Sequence, residues 1–168
     1  NPITDVQEHS IGKVTICEDM SAYKEAKDAL KAEHNLLHTL IDHLPDLIYV
    51  KDTKSRYLLA NDATVRSMAV ATQDELLGRT DFDFHPLEMA EQYYVDEQTI
   101  IDSGQPLINR EEPVIDQQTG TIRWLLSTKV PFRDSQGNIA GLVGINRDIT
   151  ERKRMEAQLL TAHAELKE

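Results

Sequence analysis

The chain has 168 residues, of which 40% are apolar, and its 18 basic and 29 acidic side chains give a formal net charge of −11. Such an acidic surface repels phosphate backbones and anionic lipids, which argues against nucleic-acid binding and membrane contact. The only cysteine excludes an intramolecular disulfide and a multi-cysteine metal site. No membrane-length apolar run or signal peptide is present, so we expect a cytoplasmic fragment of a larger protein, whose own membrane anchoring stays open.

The two ends of the chain resemble each other. The segment GKVTICEDMSAYKEAKDALKAEHNLL aligns with GLVGINRDITERKRMEAQLLTAHAEL, and each copy reads as a strand, an Asp–apolar–Ser/Thr junction and a helix. Similarity at a fixed period is typical of arrays. We therefore interpret residues 1–20 as the tail strand and junction of a preceding repeat, and residues 21–44 as a connecting amphipathic helix. Chance resemblance between two amphipathic helices is the alternative.

Both terminal helices carry apolar residues at alternating spacings of three and four, which is the pattern of a coiled-coil seam. The predicted seam residues are Leu30, Leu37 and Leu40 in the first helix, and Met155, Leu159, Ala162 and Leu166 in the second. The pattern favours a homodimer that pairs through these helices. The alternative is that each helix docks on its own domain.

Residues 45–148 predict one compact α+β domain. Its predicted strands are 47–50, 57–60, 107–115, 121–131 and 139–146. The helices of this domain are predicted from three features: a helix cap at Asn61 or Asp62, a capping box at Thr72–Glu75, and a long apolar stripe between Pro86 and Gly104. A hairpin, a helical crossover and three meandering strands make a five-stranded antiparallel sheet with helices on one face. Residues 149–168 predict a C-terminal helix that Thr150 caps through its hydroxyl.

This order of elements resembles a PAS sensor domain of the PAS/PAC type over residues 37–155. The segments that carry the resemblance are LPDLIYVKDTKSRYLLAN, ELLGRTDFDF, RWLLSTKVPFRD and GLVGINRDITERKR. The resemblance implies a PAS-like fold and a relay junction at Asp148, Ile149 and Thr150, where Asp148 pairs with a basic residue. It also implies a sensory domain of a multidomain bacterial signalling protein. A histidine kinase is the first expectation for that protein, and a diguanylate cyclase or phosphodiesterase is the alternative.

The resemblance also limits which cofactors the domain could bind. Flavin-cysteinyl photochemistry needs a cysteine in the helix after the second strand, whereas Cys17 lies in the N-terminal tail, so we exclude it. Haem-binding relatives place a histidine on the long helix, which here has none, so haem is disfavoured and no cofactor is assigned. His34 and His38, one helical turn apart, fit a solvated face better than a metal site.

A PAS cavity would lie between the long helix and the sheet. The candidate ligand contacts are Asn61, Met68, Tyr93, Tyr94, Arg110, Trp124 and Ser127, and core packing or capping is the alternative for most of them. An Arg110 that faces inward would favour a carboxylate ligand, because an unpaired buried charge is costly.

We predict that the fragment itself is not an enzyme. No catalytic triad, phosphate-binding loop or carboxylate pair is present, since Glu111 and Glu112 are adjacent on a strand and point to opposite faces. The expected partners are a small molecule, a second copy of the chain and an output domain of the same protein. A ligand-free dimerisation or spacer module is the alternative function.

Overall fold

The computed structural model describes residues 4–116 and 119–165, and the side chains of residues 21–116 and 119–163. In chain order the elements are α1 (Thr4–Asp42), β1 (Leu47–Asp52), β2 (Tyr57–Ala60), α2 (Asp62–Ser67), 3₁₀ turns at Gln73–Glu75 and Asp81–Asp83, α3 (Leu87–Ser103), β3 (Leu107–Ile115), β4 (Ile122–Arg133), β5 (Ile139–Asp148) and α4 (Thr150–Glu165). The chain divides into two units, and the boundary lies between Ile41 and Asp42. Within these described ranges, no helix is both long and apolar enough to cross a bilayer.

The second unit is built on one sheet in which all neighbouring strands are antiparallel, in the order β2-β1-β5-β4-β3. The predicted five-stranded α+β fold is confirmed. Because β1 and β5 are neighbours, the beginning and the end of the domain lie side by side in the sheet. The C-terminal helix α4 therefore leaves the sheet from a central strand.

Helix α3 begins and ends at the residues that the sequence indicated. Pro86 precedes its first residue, where a missing N–H costs nothing, and Gly104 ends it with a φ of 66°, a conformation that glycine adopts without strain. The helix packs against β4 and β5. The apolar core of the domain contains Tyr49, Tyr57, Ala60, Val65, Leu76 and Leu142.

Gly144 allows Tyr49 to lie flat across the neighbouring strand. The two residues are register partners on β5 and β1, and a Cβ at Gly144 would lie 2.2 Å from Cζ of Tyr49. Real carbon atoms do not approach so closely, so any larger residue would push the ring away. This contact fixes the position of the tyrosine that forms one wall of the site described below.

The N-terminal segment differs from the prediction. Backbone that we predicted as a strand within residues 1–20 belongs to α1, which is helical from Thr4 onward. A helix satisfies its backbone hydrogen bonds internally, whereas a strand needs a neighbouring strand, and no strand of the described sheet pairs with this segment. The interpretation of this segment as the tail of a preceding repeat stays a prediction.

Two predicted caps are also wrong. Thr72 precedes the 3₁₀ turn at Gln73–Glu75 but makes no capping hydrogen bond with its side chain. The Thr150 hydroxyl accepts from the backbone N–H of Trp124, at 2.9 Å, rather than from its own helix. It therefore ties α4 to β4, a long-range contact that local sequence patterns do not reveal.

Candidate functional site

A buried ion network joins the sheet to α3. The Lys51 ammonium donates to Oδ2 of Asp81 at 2.5 Å and to Oε1 of Glu97 at 2.7 Å. The Tyr57 hydroxyl donates to the other Asp81 oxygen at 2.7 Å. Lys51, Asp81 and Glu97 are each no more than 4% exposed. The network thus fastens β1, β2, the turn at Asp81–Asp83 and α3 to one another.

The positions of these residues follow from local periodicity. Lys51 lies two residues after Tyr49 on β1 and so shares its inward face. Glu97 lies four residues after Tyr93 and three before Ile100, so it occupies the buried stripe of α3. These residues were not among the predicted contacts. A carboxylate within an apolar helical stripe was the available signal, although its partners became apparent only in the fold.

The geometry keeps the charges of this network in place. Burial alone would raise the pKa of Asp81, but the adjacent Lys51 ammonium and the Tyr57 hydroxyl lower it to a net value below normal. Burial, and then the Asp81 charge, raise the pKa of Tyr57 well above its usual value. The Lys51 ammonium also lies over the Tyr57 ring, 4.5 Å from its centroid. At neutral pH Asp81 is therefore ionised and Tyr57 keeps its proton.

A cavity of about 150 Å³ lies beside this network, between α3 and the inner face of the sheet. An apolar cavity of roughly this volume holds a molecule the size of benzene. Its walls are aromatic and thioether side chains from Tyr49, Tyr57, Met68, Phe84, Met89 and Tyr93. Its polar lining comes from Lys51, Ser67, Asp81, His85, Glu97, Glu112, Asp116, Arg123, Lys129 and Asn146.

Two charged side chains in this lining, Lys129 and Glu97, are buried without a full set of partners among the described residues. Lys129, on β4, is 3% exposed, and among the described residues its ammonium has no hydrogen bond or ion pair and lies only over the Tyr93 ring, at 5.6 Å. Burial lowers its pKa, and the charge of Glu97 opposes that shift. Oε2 of Glu97 is likewise buried and accepts no hydrogen bond from the residues that the structure describes. Unsatisfied polar groups of this kind are rare in interiors and call for a ligand or water.

Two of the predicted ligand contacts, Met68 and Tyr93, line the cavity. Ser127 is fully buried and donates to Oε1 of Glu112 at 2.5 Å, so it supports the lining from behind. Asn61 is also fully buried, but it caps α2 by accepting from the Thr64 N–H at 3.0 Å. The capping interpretation of Asn61 is therefore confirmed.

The other three predicted contacts lie elsewhere. Arg110 is one-third exposed and forms ion pairs with Asp96 and Glu112, so it is not the unpaired inward charge that would favour a carboxylate ligand. Tyr94 packs its ring against Phe82 near the surface. Trp124 lies under Lys153 of α4, whose ammonium is 5.1 Å from the ring centroid.

Comparison with known proteins identifies the family. A family model described as PAS fold matches residues 41–154, which is more than half of the chain. The chain belongs to the PAS fold family. The match includes the whole sheet, the cavity and the beginning of α4.

Curated relatives of this PAS domain include signalling proteins. The chain is 33% identical over 122 residues to the methanogenesis regulatory histidine kinase FilI of Methanothrix harundinacea, covering 73% of the chain and 13% of FilI. It is 30% identical over 153 residues to the virulence sensor protein BvgS of Bordetella bronchiseptica, covering 81% of the chain and 11% of BvgS. A diguanylate cyclase of Vibrio cholerae is 29% identical over 125 residues, covering 73% of the chain and 38% of the cyclase.

Solved structures agree with this assignment. The PAS domain of Bordetella pertussis BvgS matches with a TM-score of 0.59 and 28% identity, covering 80% of this chain and 98% of that one. A structure of VqmA bound to DPO matches with a TM-score of 0.59 and 26% identity, covering 66% of this chain and 55% of that one. The PAS domain here therefore spans a small part of the first two curated relatives, but nearly all of the isolated BvgS domain.

An arginine connects the cavity of the PAS domain to its C-terminal junction. Arg123 lines the cavity and forms ion pairs with Asp116, at 3.4 Å, and with Asp148, at 2.9 Å. The expected basic partner of Asp148 is thus confirmed as Arg123. The same carboxylate accepts from the Thr150 hydroxyl at 2.6 Å, and Thr150 in turn accepts from the Trp124 N–H.

Strand β3 forms a second connection. Glu111 points away from the cavity and forms ion pairs with Arg152 and Lys153 of α4. Its neighbour Glu112 faces inward, where it lines the cavity and accepts from Ser127. The two carboxylates therefore lie on opposite sides of the sheet. This separation excludes an acid–base partnership between them.

No described part of the chain offers a metal site. Within residues 21–116 and 119–163 no group of three or more His, Cys, Asp and Glu side chains is placed to share an ion. The rings of His34 and His38 on α1 lie 4.3 Å apart.

We expect the Asp81→Asn variant to lower the free energy of unfolding by about 1.5–3 kcal/mol at neutral pH, because it weakens charged hydrogen bonds in a buried network. The folded-state pKa of Asp81 lies below its unfolded value, so its carboxylate stabilises the fold above about pH 4 and loses that contribution as the pH falls through the folded pKa. In urea titrations, the difference between wild type and Asp81→Asn should therefore narrow below about pH 4.

The control for this prediction is Glu88→Gln, which neutralises an exposed carboxylate at the start of α3. It should leave stability within about 0.5 kcal/mol of wild type at neutral pH. A wild-type advantage over Asp81→Asn that stays constant down to about pH 3 would contradict the assigned ionisation of Asp81.

Proposed function

We propose that this PAS domain is the sensory module of a larger signalling protein and binds a small molecule in the cavity between α3 and the sheet. One observation carries the proposal: the cavity is lined by Lys129, whose ammonium forms no hydrogen bond or ion pair with a described residue, and by Glu97, whose buried Oε2 accepts no hydrogen bond from one. Groups of this kind are costly in an interior and are retained where a ligand completes them. The VqmA structure bound to DPO supports a ligand-binding role for a related fold.

The relay to the output domain runs through the junction at Asp148, Ile149 and Thr150. Arg123 lines the cavity and also forms an ion pair with Asp148. A ligand that displaces Arg123 therefore changes the contacts of the first turn of α4. Glu111 of β3 forms ion pairs with Arg152 and Lys153 of the same helix, so a movement of β3 also changes the contacts of α4. The domain itself carries out no catalysis.

The output domain is a histidine kinase, by analogy with FilI and BvgS, and the protein acts through this domain in the cytoplasm. The similarity to a diguanylate cyclase supports that output as the second candidate. A ligand-free spacer is the competing function for the domain, and occupancy of the cavity distinguishes it from a sensor.

The domain pairs with a second copy through its flanking helices. Met155 and Leu159 of α4 are 52% and 71% exposed, and Leu30, Leu37 and Leu40 of α1 are also exposed. A row of exposed apolar side chains at heptad spacing is stabilised when a second helix covers it. Ala162 belongs to the same row, whereas Leu166 lies outside the described residues.

We expect the purified chain to capture one small molecule from an aqueous extract of the cells that produce it, and native mass spectrometry measures the added mass. Val114→Phe places a ring in the cavity lining and should abolish the added mass, because the cavity has room for little more than one ring. Val95→Phe makes the same change at an exposed position of α3 and should preserve it. Failure of the wild-type chain to capture any molecule would favour the spacer.

We expect the Val114→Phe substitution to change amide hydrogen exchange in residues 150–154 by about threefold or more, because the added ring displaces Arg123 and weakens its contact with Asp148. In an Arg123→Gln background the same substitution should have no further effect on α4. Arg133→Gln, which lies near the opposite end of β4, is the matched control. Equal responses of α4 with and without Arg123 would show that the relay takes another route.

We expect sedimentation equilibrium to find a dimer that Leu159→Glu weakens by about tenfold or more, because a charge would enter the apolar seam. Leu160→Glu is the matched control, since Leu160 is as exposed as Leu159 but lies outside the heptad row. A monomeric wild-type chain, or equal effects of the two substitutions, would disprove pairing through this seam.

A further inference from the structure

We infer that the cavity takes a compact neutral molecule that offers a hydrogen-bond acceptor to Lys129 and a hydrogen-bond donor to Glu97. The inference rests on the proposed sensory function and adds the chemical class of the ligand. A lactam or a similar ring with both an N–H and a carbonyl group represents this class.

The acceptor requirement comes from Lys129. Its side chain is 3% exposed and comes from the inward face of β4, two residues beyond the buried Ser127. Its ammonium carries three donors, lies 5.6 Å from the centroid of the Tyr93 ring, and forms no hydrogen bond or ion pair with a described residue. A carbonyl or similar oxygen in the cavity would accept a hydrogen bond from this ammonium.

The donor requirement comes from Glu97. One oxygen of its carboxylate accepts from Lys51 at 2.7 Å, whereas Oε2 is buried and accepts from no described residue. Asn146 also lines the cavity, and its buried Oδ1 accepts no hydrogen bond from a described residue. An N–H or O–H group on the ligand would therefore find two candidate acceptors.

The two charged groups face the same cavity without touching. Among the charges around Lys129, that of Glu97 opposes the effect of burial most strongly, yet the two side chains form no ion pair. A gap between a buried cation and a buried anion is costly unless a polar group bridges it. A molecule with an acceptor at one side and a donor at the other completes that bridge.

The charge of the lining favours a neutral ligand. Lys51 is balanced by Asp81, Arg123 is balanced by Asp116, and Glu112 is balanced by Arg110 from outside the cavity. Lys129 then remains as one positive charge, and Glu97, which shares Lys51 with Asp81, remains as one negative charge. A carboxylate ligand would meet Oε2 of Glu97, and an ammonium ligand would meet Lys129, so each would bring like charges together in a buried site.

The walls favour a ring. The cavity volume of about 150 Å³ leaves room for one small ring with a few substituents. Aromatic faces and thioethers surround it, and such side chains pack well against flat rings.

The inference is tested with three probes of similar size: 2-pyridone, N-methyl-2-pyridone and benzoate. Two-dimensional amide NMR titrations of the wild-type chain measure the dissociation constant of each. We expect 2-pyridone to bind, N-methyl-2-pyridone to bind at least about tenfold more weakly because it lacks the donor, and benzoate to bind at least about tenfold more weakly because it carries a charge.

Variants assign the contacts. Lys129→Met keeps the length of the side chain and should weaken 2-pyridone by at least about tenfold, whereas Lys54→Met, at an exposed lysine of the β1–β2 turn, should leave it within about twofold. Glu97→Gln should reduce the preference for 2-pyridone over its N-methyl form. Should Lys129→Met fail to fold, the ranking of the three probes by the wild-type chain decides the question.

Tighter binding of benzoate than of 2-pyridone, equal binding of the two pyridones, or indifference to Lys129→Met in a folded variant would each overturn the inference. If none of the probes binds while the chain captures a molecule from the cell extract, the ligand class is wrong and the sensory function stands. If neither the probes nor the extract yields a bound molecule, the sensory function fails as well.

Discussion

The salt bridges of Lys51 with Asp81 and Glu97 are the interaction on which the rest of this PAS domain depends. A lysine buried on a core strand would be severely destabilising alone, and two carboxylates from separate elements stabilise it. In return, the lysine fixes the turn before α3, and α3 itself, at set positions over the sheet. Apolar contacts alone specify such positions less sharply, because they have no preferred direction.

The same network produces the cavity. Since α3 is held by a polar contact at Glu97, the space beside it is lined by a mixture of charges and aromatic rings. One oxygen of Glu97 serves the structure and the other faces no protein donor, so a single side chain contributes to both the fold and the site. Arg123, which lies between this space and Asp148, places the cavity within one side chain of the helix that leaves the domain.

Much of the fold was predictable because its signals are local. Strands β2 and β3 and helix α3 follow from alternation, proline and glycine, and the predicted bounds of β2 and β3 match those observed. The site was less predictable because its residues meet only through long-range contacts. Lys51 lies just after the predicted strand 47–50, so it had no predicted role. The orientation of Arg110 could not be predicted from alternation because the β3–β4 register shifts between Leu107 and Arg110, where Asn109 has a φ of 52°.

A crystal structure of the chain grown with the captured cell-extract component would show whether one bound molecule completes both Lys129 and Glu97. We expect the electron density between these two side chains to contain one continuous feature larger than water, within hydrogen-bond distance of the Lys129 ammonium and of Oε2 of Glu97. Density for separate water molecules alone, or a collapsed cavity in which Lys129 and Glu97 pair directly, would contradict it.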